Sequence, residues 1–457
     1  MIKKMVLVCV LLIGSVSLSV CAKEVSNTAN NLSTADKLYG LSLFWKEVSY
    51  NFAFFDQVPD LDFDNAYRET IPKVLATKTT YVYYRELMKF NALLKDGHTN
   101  IYLPKALAAK HIDWPALSIT EADQKAVVTE VKSELQAQIP LGSTIIAVDG
   151  VDLETHLKAN VMPYIASSTE HILWNNAVRD MLKGKPKTKV NITIKAPSGE
   201  LSDITLVRDS RNQKFDKVSL KLPSSNGELF EFKWLDNKIA YIALNGFHDE
   251  KLVELFNAAY EEIKKSKALI IDLRFNGGGN SLIAAEILSH FTNEDLKGSI
   301  WKTRKHVAAY KAWGVYFAEY KEYALDNVWE SGSMEEFKAK DNNHIVPTYV
   351  LIGRHTASAA EDFLIYADTL AHFTTIGEKT FGSTGQPIFF DLPGGGSFRV
   401  CTKRDTYPDG REFVGYGITP NVMIHRTPEQ LSSESDVVLS SAIEGLKRKI
   451  STEQVIQ

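Results

Sequence analysis

The sequence predicts a multidomain α/β protein with three parts: a helical N-terminal region, a β-rich module and an α/β core with crossover helices. Three observations predict it. Apolar residues recur at helical spacing from residue 35 to about 112. From 113 to 210 the texture changes to β-branched runs bounded by turn residues. From 211 to 457 strand-like and helix-like stretches alternate, as in a sheet joined by crossover helices. A chain of 457 residues is also too long for a single core.

Residues 1–22 read as an export leader. "MIKK" is basic, "MVLVCVLLIGSVSLSV" is apolar but short, and charges follow at once. Cleavage after Ala22 is the first expectation. The second is a lipid on Cys21, because "LSVC" resembles a bacterial lipoprotein box. The polar stretch 23–34, "KEVSNTANNLST", reads as a flexible tether. Leu38, Leu41, Phe44, Trp45 and Val48 then share a helical face, and "FDNAYRETIPKVLAT" and "TYVYYRELMKFNALL" give two further helices. In the β-rich module, "KAVVTEV", "STIIAVDGV", "KVNITIKA" and "DITLVRD" read as strands around a helix near "EHILWNNAVRDMLKGK". In the core, "KIAYIALNGF" is a strand, and Leu252, Leu255, Phe256, Ala259 and Ile263 form the apolar face of the next helix. "KALIIDLRF" is apolar almost throughout, as a strand covered on both faces must be. "GGGNSLIAAEILSHFT" turns into a helix, and "PTYVLI" followed by "AAEDFLIYADTL" repeats the unit.

Composition excludes several function classes. Hydrophobic residues make up 44% and charged residues 24%, with a net charge of −4 and no long basic run after the leader, so nucleic-acid binding has no electrostatic support. Of three cysteines two lie in the leader, which leaves Cys401 without a partner and excludes a disulfide framework. "SFRVCTKRD" reads as a strand that buries it. The histidines are scattered, with no H-E-x-x-H pattern and no paired cysteines, so neither a metal nor a cofactor is expected.

Three stretches carry groups suited to chemistry. "IDLRFNGGGNS" puts three glycines between a buried strand and a helix start, where bare N–H groups can receive negative charge. The nucleotide-loop orders are absent, which leaves the oxyanion of an acyl-transfer intermediate, or a plain tight turn. "LIGRHTASAAEDF" places Ser358 at a strand-to-helix junction among Ala357, Ala359 and Ala360. It suits a nucleophile; the structural alternative is an N-cap, and Glu361 completes a capping box with it. His355, three residues earlier, is a bystander. "LLKDGHTNIYLP" places His98 in a turn at a helix end, either as a helix cap or as a base. A serine nucleophile needs a general base and an oxyanion site, and this chain offers one of each in a suitable setting.

Taken in order, "DLRFNGGG", "GRHTASAAE", "GEKTFGSTG" and "GYGITPNV" resemble the C-terminal processing, or tail-specific, serine peptidases, over about Tyr241 to Ile424. "GSTIIAVDGVDL" is similar to a segment of the PDZ-like module of that family. The resemblance implies Ser358 as nucleophile, and the N–H groups of the Gly277–Gly278 turn and of Ala359 as the oxyanion hole. One branch uses a lysine base where this chain has Ser383. The tricorn-like branch uses a histidine, supported by a serine and a glutamate, and "KDGHT" makes His98 that base. The serine that precedes the histidine there is Gly97 here. The glutamate position matches Val414, and Glu412, two residues earlier on the same strand face, is the substitute. The implied activity is that of a secreted or envelope-associated endopeptidase acting on proteins or peptides. The competing expectation is a peptide-binding relative that has lost catalysis.

Overall fold

The computed structural model describes residues 31–456 except 212, 237 and 434. The leader, Cys21 and most of the tether lie outside the described residues. No helix among the described residues is long and apolar enough to cross a membrane.

The α/β core is a six-stranded sheet in the order Val422–Met423, Phe373–Gly377, Thr348–Ile352, Ala268–Asp272, Ile239–Leu244, Phe230–Trp234. All neighbouring pairs are parallel except the last. The three central strands are buried at every position, which explains their uninterrupted apolar sequences. On one face, Ile283, Phe363 and Leu364 from the helices Ser281–Leu288 and Ala359–Ala367 join the main cluster. On the other, Ala442, Leu446 and Ile450 of the helix Val437–Ile456 cover Tyr241, Ile270 and Leu351. The strands Ala268–Asp272 and Thr348–Ile352 are adjacent and parallel, so the glycine turn and the Ser358 turn leave the sheet side by side.

The helices Thr34–Asn51, Phe63–Ala76 and Thr80–Ala92 form where the apolar spacing placed them. Ser33, Asp62 and Thr79 cap their N-termini through side-chain oxygens. They have no separate core. Phe44 packs edge-on against Phe90 at 5.6 Å and against Phe398 at 5.2 Å, within one cluster that continues into the sheet. Sequence periodicity missed the short strand Asn100–Tyr102, which pairs antiparallel with Gly396–Val400. That strand follows His98 directly and is what fixes its position. The "LPGGGSF" segment is the turn between Ile388–Leu392 and Gly396–Val400, with Gly394 and Gly395 at φ +90° and +87°. Cys401, just past that strand, is buried and free.

The β-rich stretch has its own core of Val128, Ile145, Val178, Ile192 and other residues. Its sheet runs Leu117–Ala122, Lys125–Lys132, Thr144–Val148, Lys189–Lys195, Leu201–Val207. Lys217–Ser219 also pairs with Lys125–Lys132, so the sheet extends past residue 210.

Because Phe398 sits under the strand that follows His98, Phe398→Ala should reduce stability by about 3–5 kcal/mol, the usual cost of emptying a buried aromatic site. A fall in the urea midpoint with an unchanged slope would show it; a fall under 1 kcal/mol would mean that the helical region is anchored elsewhere.

Candidate active site

Ser358 is the residue before the helix Ala359–Ala367, at φ +56° and ψ −123°. An ordinary N-cap has extended backbone, and a non-glycine residue at positive φ is strained. Ser358 and Glu361 nevertheless form the capping box that the sequence offers. Within it the Ser358 N–H donates to Glu361 Oε2 at 3.1 Å, and the Glu361 N–H also donates to the Ser358 carbonyl oxygen at 2.7 Å. Ser358 is partly exposed.

The glycine turn lies against Ser358. A Cβ built on Gly278, at φ +98°, would stand 2.7 Å from both Ser358 Cβ and the Ala357 oxygen. A Cβ on Gly279 would stand 2.2 Å from the Phe247 backbone. Both positions therefore require glycine. Gly277 faces open space, where a Cβ would meet nothing within 4 Å. The Gly278 N–H donates to Asn276 Oδ1 at 2.9 Å, so it is already committed.

Glu361 is fully buried and accepts four donors. Oε1 takes the Thr380 hydroxyl at 2.5 Å and the Gly382 N–H at 2.7 Å. Oε2 takes the Ser383 N–H at 3.2 Å and the Ser358 N–H at 3.1 Å. One carboxyl thus fastens the Ser358 turn to the loop that carries Ser383. Burial pushes it up to about 8, and all four donors pull against that rise.

His98 meets that loop from the other side. Its Nδ1 lies 2.6 Å from Ser383 Oγ, across 285 positions of sequence. Ser383 Oγ in turn donates toward Asp96 Oδ1 at 3.5 Å. With that proton directed to Asp96, Ser383 accepts from Nδ1–H, and Nε2 keeps its lone pair. Asp96 is buried and also accepts from the Thr99 hydroxyl at 2.6 Å and the Ser168 hydroxyl at 3.2 Å. Burial pushes Asp96 up while these donors oppose it. Burial also pushes His98 down to about 3, with a smaller contribution from the Arg399 charge. Gly97 makes the approach feasible, because a Cβ there would stand 2.7 Å from the Phe381 ring and 3.1 Å from Ser383 Oγ. Ser168 ties the β-rich module to this turn, since it also accepts the Gly97 N–H at 2.8 Å.

The structure therefore brings His98, Ser383, Glu361 and Ser358 into one hydrogen-bonded chain. Among the described residues no hydrogen bond joins the His98 ring directly to the Ser358 hydroxyl. Glu412 is not in the chain: it is held by Arg404, which also binds Asp56 at 2.6 Å, and it lines a separate cavity beside Tyr407 and Arg411. The strand-parity expectation for Glu412 fails because residues 407–417 form no strand, and Arg404 holds the side chain. Sequence reasoning did not identify Asp96 at all and read Glu361 only as a cap. The signal for Asp96 was its place two residues before His98 in the same turn. His355 lines a third cavity, between the module and the core. Among the described residues no cluster of His, Cys, Asp and Glu is close enough to hold a metal ion.

Comparison with known proteins finds relatives of one kind. Residues 238–424 match peptidase family S41. The chain is 24% identical to a carboxyl-terminal-processing protease of Picosynechococcus over 388 residues, 83% of each protein. It is 30% identical to a tail-specific protease of Haemophilus influenzae over 217 residues, 44% of this chain and 25% of that one. Among solved structures, mature CPAF complexed with lactacystin superposes with a TM-score of 0.67 over 92% of this chain and 98% of that chain, at 13% identity, a likeness of fold.

Glu361→Gln keeps the volume but aims an amide N–H at two backbone donors. Each donor left unsatisfied should cost about 1–3 kcal/mol. Thermal unfolding of this variant against wild type measures the loss, and an unchanged midpoint would show that the carboxyl does not hold the two turns together.

Proposed function

From a chain that belongs to peptidase family S41 through residues 238–424, and is a serine-type peptidase, we infer an exported endopeptidase with Ser358 as nucleophile and His98 as general base. The observation that carries this reading is the strained, partly exposed Ser358, tied through Glu361 and Ser383 to a buried neutral imidazole. Ser358 Oγ attacks the scissile carbonyl. His98 Nε2 takes the proton and returns it to the leaving amine, while Nδ1–H stays on Ser383 and Asp96 steadies the imidazolium through the Ser383 hydroxyl. With the Gly278 N–H committed to Asn276, the oxyanion donors are the N–H groups of Gly277 and Ala359. A closing movement brings the ring onto the hydroxyl when substrate is bound. Glu361, Ser383 and Asp96 are positioning residues.

The β-rich stretch is read as the PDZ-like module, binding an extended peptide between the strand Leu117–Ala122 and the helix Glu170–Asp180. That groove opens on a cavity of about 330 Å³ whose lining includes Arg179, while Arg354 and Arg426, also in the lining, pair with Glu121 and Glu378. Export rests on the basic, apolar and small-residue order of residues 1–22.

Cleavage of an unfolded protein should be lost in Ser358→Ala and His98→Ala, and reduced about 10²–10⁴-fold in Ser383→Ala if that hydroxyl orients the base. A serine-reactive probe should label wild type at Ser358 stoichiometrically. No labelling at any pH would favour the competing reading, a peptide binder without turnover.

The depressed His98 also predicts a pH profile. An imidazole held well below 6.5 remains a competent base in acid, so kcat/KM should stay level as pH falls through 6.5. Stability behaves differently. The unfolded chain takes up a proton on His98 near 6.5 and the folded chain does not, so this contribution is full above 6.5 and declines as pH falls below it. An activity limb centred near 6.5 would place the ring in water.

A further inference from the structure

Between the strands Ile300–Arg304 and Trp329–Ser331 the chain runs out as a short helical arm, built on Ala308–Trp313 and Lys321–Ala324. Six of the eighteen residues 308–325 are aromatic, against 10% of the whole chain, and none of the eighteen is buried. Large apolar side chains kept together at a surface mark a contact made outside the fold.

The base of the arm is stiff. The Tyr310 ring lies 4.9 Å from that of Tyr320 and 5.1 Å from that of Tyr323, and Trp313 lies 5.4 Å from Tyr320. Gly314 closes the bend, where a Cβ would stand 2.2 Å from the Tyr320 oxygen. Beyond it Val315, Tyr316 and Phe317 project at 69%, 83% and 54% exposure. The Gly314 N–H donates to the Tyr310 carbonyl at 2.8 Å, and those of Tyr316 and Phe317 donate to the Trp313 carbonyl at 2.9 and 2.8 Å. With these donors engaged, the tip can enter a medium that offers no hydrogen bonds, and it gives an incoming strand little to pair with.

Charge does not draw the arm to an anionic surface. Residues 305–330 hold three lysines and four carboxylates, and Lys305 and Lys311 are paired with Glu330 and Asp326. What remains is tryptophan, tyrosine and phenylalanine over an apolar tip, and the first two are the residues that settle where acyl chains meet headgroups. The root of the arm is fixed to the far end of the helix Thr34–Asn51: Arg304 donates to the Ser49 carbonyl at 3.1 Å, and the His306 ring stacks on Tyr50 at 4.1 Å. That helix is about 27 Å long. Ser33 stands twelve positions after Cys21, an extended reach of about 40 Å, long enough to span the helix. With a lipid on Cys21, the anchor and the arm can therefore lie over one surface.

We propose that Val315, Tyr316 and Phe317 insert into the headgroup boundary of a phospholipid membrane and hold the peptidase at the envelope surface. The inference goes beyond the catalytic reading and does not depend on Ser358.

The test uses residues 23–457, without leader or lipid, and phosphatidylcholine vesicles. The chain should sediment with the vesicles. Tyr316→Ser combined with Phe317→Ser should weaken that binding about tenfold or more, with an unchanged thermal midpoint. Adding phosphatidylglycerol or salt should change it by less than about twofold. A second measurement places an environment-sensitive dye on Tyr316→Cys, the native Cys401 being buried. Vesicles should brighten its emission and shift it to the blue, and should leave a dye on Ser198→Cys, in an exposed turn of the β-rich module, unchanged. No sedimentation, equal binding by the double variant, or binding that salt abolishes overturns the proposal. A dye response to rising protein concentration alone assigns the tip to a second copy, and a response to unfolded protein alone assigns it to a polypeptide; either result also overturns it.

Discussion

The geometry of the candidate site depends on one buried carboxyl group. Glu361 sits at zero exposure and accepts a hydroxyl and three backbone N–H groups drawn from two different turns. Taking a carboxylate out of water costs several kcal/mol, and only a near-complete set of donors offsets it. Here the donors are supplied by the elements that need to be placed, so satisfying the carboxyl and aligning the turns are one event. The Thr380 hydroxyl shows how far this extends: it donates to Glu361 and accepts the Ile418 N–H at 2.6 Å, which brings the "GYGITPNV" segment into the same lattice.

His98 arrives by a different route. A strand of three residues, Asn100–Tyr102, docks onto Gly396–Val400, and side chains reinforce the pairing. Arg399 donates to Asn100 Oδ1 at 2.8 Å and to the Gly97 carbonyl at 3.2 Å, while Thr99 accepts the Cys401 N–H at 3.1 Å. Those contacts bury the turn, and burial keeps His98 neutral. The β-rich module touches the same turn through Ser168, and the loop beside it through Thr169 and His171, which bond the carbonyls of Phe381 and Thr380 at 3.1 and 2.8 Å. Displacement of residues 168–171 therefore alters hydrogen bonds to Asp96, to the Gly97 N–H and to the segment that leads into Ser383.

What the sequence disclosed follows from how local each signal is. Ser358, His98 and the glycines were legible because each sits in a short turn between periodic segments. The central strands were legible because burial on both faces leaves an unbroken apolar run. Asp96 and the pairing of His98 with Ser383 were not, because they depend on a strand too short to show a period and on a contact spanning 285 positions. Glu361 was visible but underread: three residues after a serine, a glutamate signals a capping box, and nothing local reveals that its carboxyl also reaches Gly382 and Ser383. Glu412 failed for the converse reason. Its strand parity assumed a strand that does not form over residues 407–417, and Arg404, from the strand Lys403–Thr406, holds its side chain.

The strain at Ser358 separates structure from function. Positive φ at a non-glycine residue costs on the order of 1–3 kcal/mol. Glycine would relieve that cost and keep the bond from the residue-358 N–H to Glu361, losing only the side-chain half of the capping box. Across the turn, Gly278 is obligatory because a Cβ there would meet the Ala357 oxygen and the Ser358 Cβ, both at 2.7 Å. The chain thus bears two local penalties at this turn, a strained residue and an immobilised glycine. That strain, the adjoining glycine turn and the one carboxyl that links the turn to the loop against His98 are the features on which the proposed chemistry draws.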